Sequence, residues 1–171
     1  MEVSLFKRKL KKALEISPNR LYQQNIGNLI GMKQMRDDKV FIDTNILIYA
    51  FSSDDKEKQE IALAALDDSQ TVISTQVIKE LTSVFIKKKS ISLSVVRDTL
   101  HEIIDIAEVI SENVDLTFHA LDIHEKYGFS FYDSLIIASA IEANCDILLS
   151  EDMQNGQIVE GKVKIVNPFK N

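Results

Sequence analysis

The stretch VFIDTNILIYAF, residues 40–51, decides how the chain is read. Val40, Phe41 and Ile42 are apolar without alternation, the pattern of a short strand buried on both faces. Ile46, Leu47, Ile48, Tyr49, Ala50 and Phe51 read as the start of a buried helix. Asp43, Thr44 and Asn45 interrupt the two. Burying a carboxylate there costs several kcal/mol unless another group compensates it. Something must therefore compensate Asp43.

Outward from this stretch, strand-like and helix-like segments alternate. KVFID, TVISTQ, AEVIS, DILLS and KVKIVNP read as strands. Between them, KEKQEIALAALDD, QVIKELTSVFIKKK, SLSVVRDTLHEIIDIA, VDLTFHALDIHEKYG and FYDSLIIASAIEANC read as helices. Val77, Leu81, Val84 and Phe85 give the second of these an apolar stripe, and Ser92 or Ser94 caps the third. Gly128 closes the fourth at the position after a helix that glycine favours. The fifth is apolar nearly all round, so it is expected to be buried. The alternation predicts an α/β fold, a parallel sheet covered by helices on both faces.

A boundary falls near Asp38. Residues 1–38 carry 8 Lys+Arg against 4 Asp+Glu, whereas residues 39–171 carry 12 against 22. An acidic body thus follows a basic arm. In the arm, Leu5, Leu10 and Leu14 lie near helical spacing among Lys7, Arg8, Lys9, Lys11 and Lys12, and Pro18 stops that pattern. The arm reads as a basic extension, helical or loosely packed, ahead of one domain over residues 39–171. The 171 residues, 45 % hydrophobic and 27 % charged, suffice for a core without staples. Cys145 is the one cysteine, which rules out an intramolecular disulfide. It reads as a buried, unreactive thiol and fits a cytosolic setting. No stretch reaches the ~18 apolar residues of a membrane span, and no apolar segment follows the basic cluster as a secretory signal requires. The net charge of −6 argues against a passive nucleic-acid coat.

In an open parallel sheet, ligands gather at the carboxyl ends of the strands. Four acids are expected on that edge. Asp43 ends the first strand, and Glu80 lies early in the helix after TVIST. Asp133 begins the buried helix, and Asp152 follows DILLS. Each has an ordinary structural explanation. Asp133 suits a helix cap, Glu80 an exposed helix face, and Asp152 a turn with Asn155 and Gly156. Asp43 resists one, because apolar sequence surrounds it. Converging carboxylates raise one another's pKa unless a cation neutralises them. Oxygen-only ligands favour Mg²⁺ or Mn²⁺, and no Cys/His spacing suits zinc. A divalent cation is the expected compensation for Asp43. Such clusters hydrolyse phosphodiesters with one ion, or with two roughly 4 Å apart.

VFIDTNILIYAF, VISTQVIKEL, FSFYDSLIIASAIEANCDILLSEDMQNG and VKIVNPF, in this order, resemble the PIN-domain family, and within it the VapC-type toxins of toxin–antitoxin pairs. The resemblance covers residues 39–171. It implies a three-layer α/β/α fold around a short central parallel sheet. It also implies a Mg²⁺- or Mn²⁺-dependent endoribonuclease whose products carry a 5′-phosphate and a 3′-hydroxyl. The family's four acids match Asp43, Glu80, Asp133 and Asp152, as metal ligands and catalytic groups. Thr44 and Asn45 match the polar pair after the first acid, and Ser150 the small hydroxyl residue before the fourth; these would orient ligands or touch substrate. Glu151 is expected to face solvent. The resemblance further implies an RNA substrate, an antitoxin partner, a homodimer and a cytoplasmic location. These toxins begin near their first strand, whereas 38 residues precede Lys39 here. That arm fits a fused partner fragment, an RNA-binding arm or an upstream start.

Lys79 either touches phosphate or is solvated. Lys87, Lys88 and Lys89 suit the helix C-terminus. His101, His119 and His124 read as structural or surface residues, and Tyr132 as a packing residue. The alternative reading is a non-catalytic module that binds RNA or protein and takes a metal for stability. A phosphotransfer enzyme of the dehalogenase type wants a second Asp where Asn45 stands.

Overall fold

Val40, Phe41 and Ile42 are wholly shielded from solvent. Successive strand residues point to opposite faces, so both faces of this strand are covered. The computed structural model describes residues 38–52, 54–67, 70–88 and 91–170. The basic extension and Lys89 lie outside the described residues. The elements run β1 (Lys39–Ile42), α1 (Thr44–Phe51), α2 (Lys56–Asp67), β2 (Gln70–Ser74), α3 (Thr75–Lys87) and α4 (Leu93–Ile106). They continue with β3 (Glu108–Ile110), α5 (Val114–Tyr127), α6 (Phe131–Glu142), β4 (Ile147–Leu149), β5 (Ile158–Val159) and β6 (Val163–Val166).

The strands order as β3-β2-β1-β4-β6-β5. The first five pair in parallel, and β5 joins β6 antiparallel. The expected α/β architecture is present, with β5 as an added edge strand that the sequence reading did not resolve. Ile158 and Val159 are too few to show a period, and only hydrogen bonding to β6 reveals them.

Helices start where short polar side chains cap them. Ser74, Ser92, Asn113 and Ser130 accept backbone N–H bonds from Val77, Val95, Leu116 and Asp133. Ser130, not Asp133, is therefore the cap of α6. Gly128 ends α5 at φ +77° and its N–H donates to the His124 carbonyl, as expected of a C′ glycine. The expected burial of α6 also holds: every residue from Ser134 to Ile141 is buried. This helix lies over β2, β4 and β6 and packs against α5, while α1 contacts α2 and α3, and α3 contacts α4.

Chain order changes direction at the middle of the sheet. From β1 the chain moves outward through β2 to β3, then returns to place β4 on the other side of β1. The crevice at such a switch point, beyond the carboxyl ends, is where open α/β sheets bind ligands. The register brings the strand ends level there. Ile42 pairs with Leu149, and Leu149 with Val166. Asp43, Ser150 and Asn167, each one residue further on, consequently leave the sheet at one edge.

Candidate active site

Asp43 occupies the turn from β1 into α1 and caps that helix. Its Oδ1 accepts from the Thr44 N–H at 2.7 Å, and its Oδ2 accepts from Ser150 Oγ at 2.7 Å. Its own N–H donates to the Leu149 carbonyl at 3.0 Å. The side chain is buried, and burial pushes its carboxyl up to about 6. The Ser150 and Thr44 bonds oppose that rise, whereas the negative charges of Glu80 and Asp133 add to it. Two hydrogen bonds thus compensate Asp43 only in part. The carboxylate keeps an unmet preference for positive charge.

The next two residues of α1 reach other segments. Thr44 Oγ1 donates to Glu80 Oε2 at 2.7 Å, and Gln76 Nε2, one turn earlier on α3, donates to Glu80 Oε1 at 2.8 Å. Asn45 Nδ2 donates to Asp152 Oδ2 at 2.7 Å. Three consecutive residues at one helix N-terminus therefore touch the acid of α3 and two residues after β4. Asp133 stands apart in this network. Its Oδ2 accepts from Ser130 Oγ at 2.7 Å within its own helix turn, and it acts on Asp43 through charge.

Among the described residues, no three His, Cys, Asp or Glu side chains form a ready-made metal cage. The donor chemistry nevertheless fits a hard divalent cation. The facing groups are carboxylate and hydroxyl oxygens, and Glu80 and Asp133 raise the pKa of a buried Asp43. The hydroxyls and amides of Ser150, Thr44, Gln76, Asn45 and Ser130 hold the carboxylates, each of which retains free lone pairs.

Several surrounding residues take roles other than those expected. Glu151 is half-buried rather than facing solvent. Its Oε1 accepts from Lys58 Nζ at 2.5 Å. Burial pushes its carboxyl up, but the bonds from Lys58 and Tyr49 outweigh that and hold it below its ordinary value. Lys79 is neither free nor merely solvated: its Nζ donates to Glu112 Oε2 at 2.9 Å. Tyr132 is 59 % exposed and touches the edge of Phe131, so it does not serve the core. His119 contacts Glu160 and His124 the Phe129 carbonyl, whereas His101 is exposed. The sequence reading missed Gln76, Ser130, Lys58 and Asn167. Gln76 was legible in principle, being four residues before Glu80 on one helix face. Lys58 and Asn167 gave no local signal.

The sheet order and the switch-point crevice define an α/β domain whose candidate site lies at the carboxyl ends of its strands. The PIN domain family model matches residues 40–155, and the chain belongs to that family. Comparison with curated proteins gave no match. Among solved structures, a toxin–antitoxin complex from Klebsiella pneumoniae is 21% identical with a TM-score of 0.59, covering 77% of this chain and 99% of that one. A sarcin–ricin loop cleaving VapC toxin of Mycobacterium tuberculosis is 16% identical with a TM-score of 0.52, covering 64% and 86%. A VapBC complex of Rickettsia felis, bound to a DNA fragment from its promoter, is 19% identical with a TM-score of 0.53, covering 75% and 99%. At these identities the likeness is one of fold.

Proposed function

We propose that this chain is a Mg²⁺- or Mn²⁺-dependent endoribonuclease, the toxin of a toxin–antitoxin pair. The observation that carries the reading is Asp43, a buried carboxylate at the switch point that its own hydrogen bonds compensate only in part. Asp43, Glu80, Asp133 and Asp152 would hold the cation, which would supply Lewis acidity toward the scissile phosphate and a water of lowered pKa. Ser150 and Thr44 would hold the inner oxygens of Asp43 and Glu80 in place, and Asn45 would orient Asp152. RNA is the substrate in this reading, an antitoxin chain the partner, a homodimer the assembly and the cytoplasm the location. Among the described residues, no helix is long and apolar enough to cross a membrane.

The test is incubation of the purified chain with total RNA and Mn²⁺ or Mg²⁺, beside Asp43→Asn and an EDTA control. Discrete fragments that vanish in both controls support the reading. Intact RNA, with a folded protein that binds the metal, overturns it. The alternative reading is a non-catalytic module that binds RNA or protein and takes a metal for stability. Chelation would then lower thermal stability with no cleavage at any stage.

A further inference from the structure

Lys58 lies on α2, a helix that carries none of the acids expected in the site. Yet its ammonium is the meeting point of four segments. Nζ donates to Glu151 Oε1 at 2.5 Å and to Tyr49 Oη of α1 at 3.1 Å. It also sits 4.3 Å from the centre of the Tyr49 ring and 5.1 Å from that of Phe169. Those two rings meet edge to face, 5.1 Å apart at an interplanar angle of 76°. A cation over two aromatic faces and bonded to a carboxylate is held by several independent attractions.

Glu151 is flanked by Ser150, which holds Asp43, and by Asp152, which Asn45 holds. The same loop is tied from its other side. Asn167 Nδ2 donates to the Glu151 carbonyl at 2.9 Å, and the Asn167 N–H donates to Asn155 Oδ1 at 2.9 Å. Asp152 itself is exposed and has one side-chain bond, from Asn45. Its position thus depends on the loop that carries it. On the side of α1 and α2, Lys58 grips this loop through Glu151, beside the Tyr49 bond to Glu151 and the Asn45 bond to Asp152.

We propose that Lys58 is a positioning residue: through Glu151 it locks residues 150–155 and so sets Asp152 against Asn45. The lock also occupies Glu151, which keeps the second carboxylate of the Glu151–Asp152 pair out of the crevice. The functional half of this inference rests on the metal-dependent reading above. The lock itself does not.

The experiment uses the full chain with Lys58→Met, Lys58→Arg and Asp152→Asn. Amide hydrogen exchange over residues 150–155, without metal, reads the lock. Faster exchange there in Lys58→Met, with α6 unchanged and Lys58→Arg restored toward wild type, supports it. Unchanged exchange over 150–155 in Lys58→Met overturns it. Mn²⁺ titration reads the consequence. Lys58→Met should weaken Mn²⁺ binding by about tenfold or more, the usual loss when a group behind a ligand is removed. In an Asp152→Asn background it should cause no further loss, because it acts through Asp152. Additive losses overturn the route through Asp152. Wild-type protein that binds no Mn²⁺ sinks the metal-dependent reading instead, and the exchange result still decides the lock.

Discussion

Ser150 Oγ donates to Asp43 Oδ2 at 2.7 Å, joining the carboxyl ends of β1 and β4 across 107 residues of sequence. The bond exists because these strands are neighbours with Ile42 level with Leu149. It spans the switch point of the sheet, and so it ties the least comfortable charge of the fold to the strand that returns beside it.

Replacing Asp43 with Asn should separate stability from activity. Burial raises the Asp43 carboxyl from 3.8 to about 6, so the folded state holds its proton more tightly than the unfolded chain. Between those values the native state binds more protons, and stability falls as pH rises. The contribution is present below about pH 4 and lost above about pH 6. At neutral pH, forcing this ionisation costs the metal-free fold roughly 3 kcal/mol. Asp43→Asn should abolish cleavage yet raise the urea midpoint in EDTA at pH 7.5, with a smaller gain at pH 4. A metal-free variant less stable than wild type at pH 7.5 contradicts this account.

Removing the Ser150 hydroxyl should act in the opposite direction. Ser150→Ala takes away the largest of the influences that lower the Asp43 pKa. It leaves a buried carboxylate oxygen short of a donor, at a cost of about 1–3 kcal/mol. The loss should be greater at pH 7.5, where Asp43 must ionise, than at pH 4, where it keeps its proton. Equal losses at the two values in denaturant titrations would show that the hydroxyl serves packing alone.

Divalent cation should stabilise the wild-type fold by mass action. At a free concentration 100 times the dissociation constant, the gain is about 2.7 kcal/mol. Calorimetric melting with rising Mn²⁺ should show a concentration-dependent increase in Tm that Asp43→Asn and Glu80→Gln each reduce. A shift that persists in both variants places the cation elsewhere.

Cys145 should be inert in the folded protein. The thiol is buried, and desolvation pushes its pKa up to about 12. Since the thiolate is the reactive form, iodoacetamide should label it only after denaturation. Rapid labelling of the native chain at pH 7.5, read by mass spectrometry, would count against this burial.

Sequence and tertiary structure settled different things about this protein. Strand and helix identity followed from local pattern: Val40, Phe41 and Ile42 with no polar alternation, α6 apolar on every side, and Gly128 past the end of α5. Those signals lie within a few residues, where backbone sterics and side-chain periodicity act. The sequence also exposed Asp43 as a charge in the wrong place, because the cost of burying a carboxylate is a local property. What answers that charge was local only in the Thr44 N–H; Ser150 reaches Asp43 through strand order and register, and Glu80 and Asp133 add like charge from distant helices. Lys58 and Asn167 meet the Ser150–Asn155 loop from distant parts of the chain. Gln76 was within reach of helical spacing, but the two-residue strand β5 was not. Ser130, rather than Asp133, caps α6, a choice decided by backbone angles that either residue type could satisfy. Composition and periodicity thus specified the elements and the acid that needs a partner. The parallel register across the switch point decided its distant hydrogen-bond partner, Ser150, because it brings the ends of β1 and β4 to one edge.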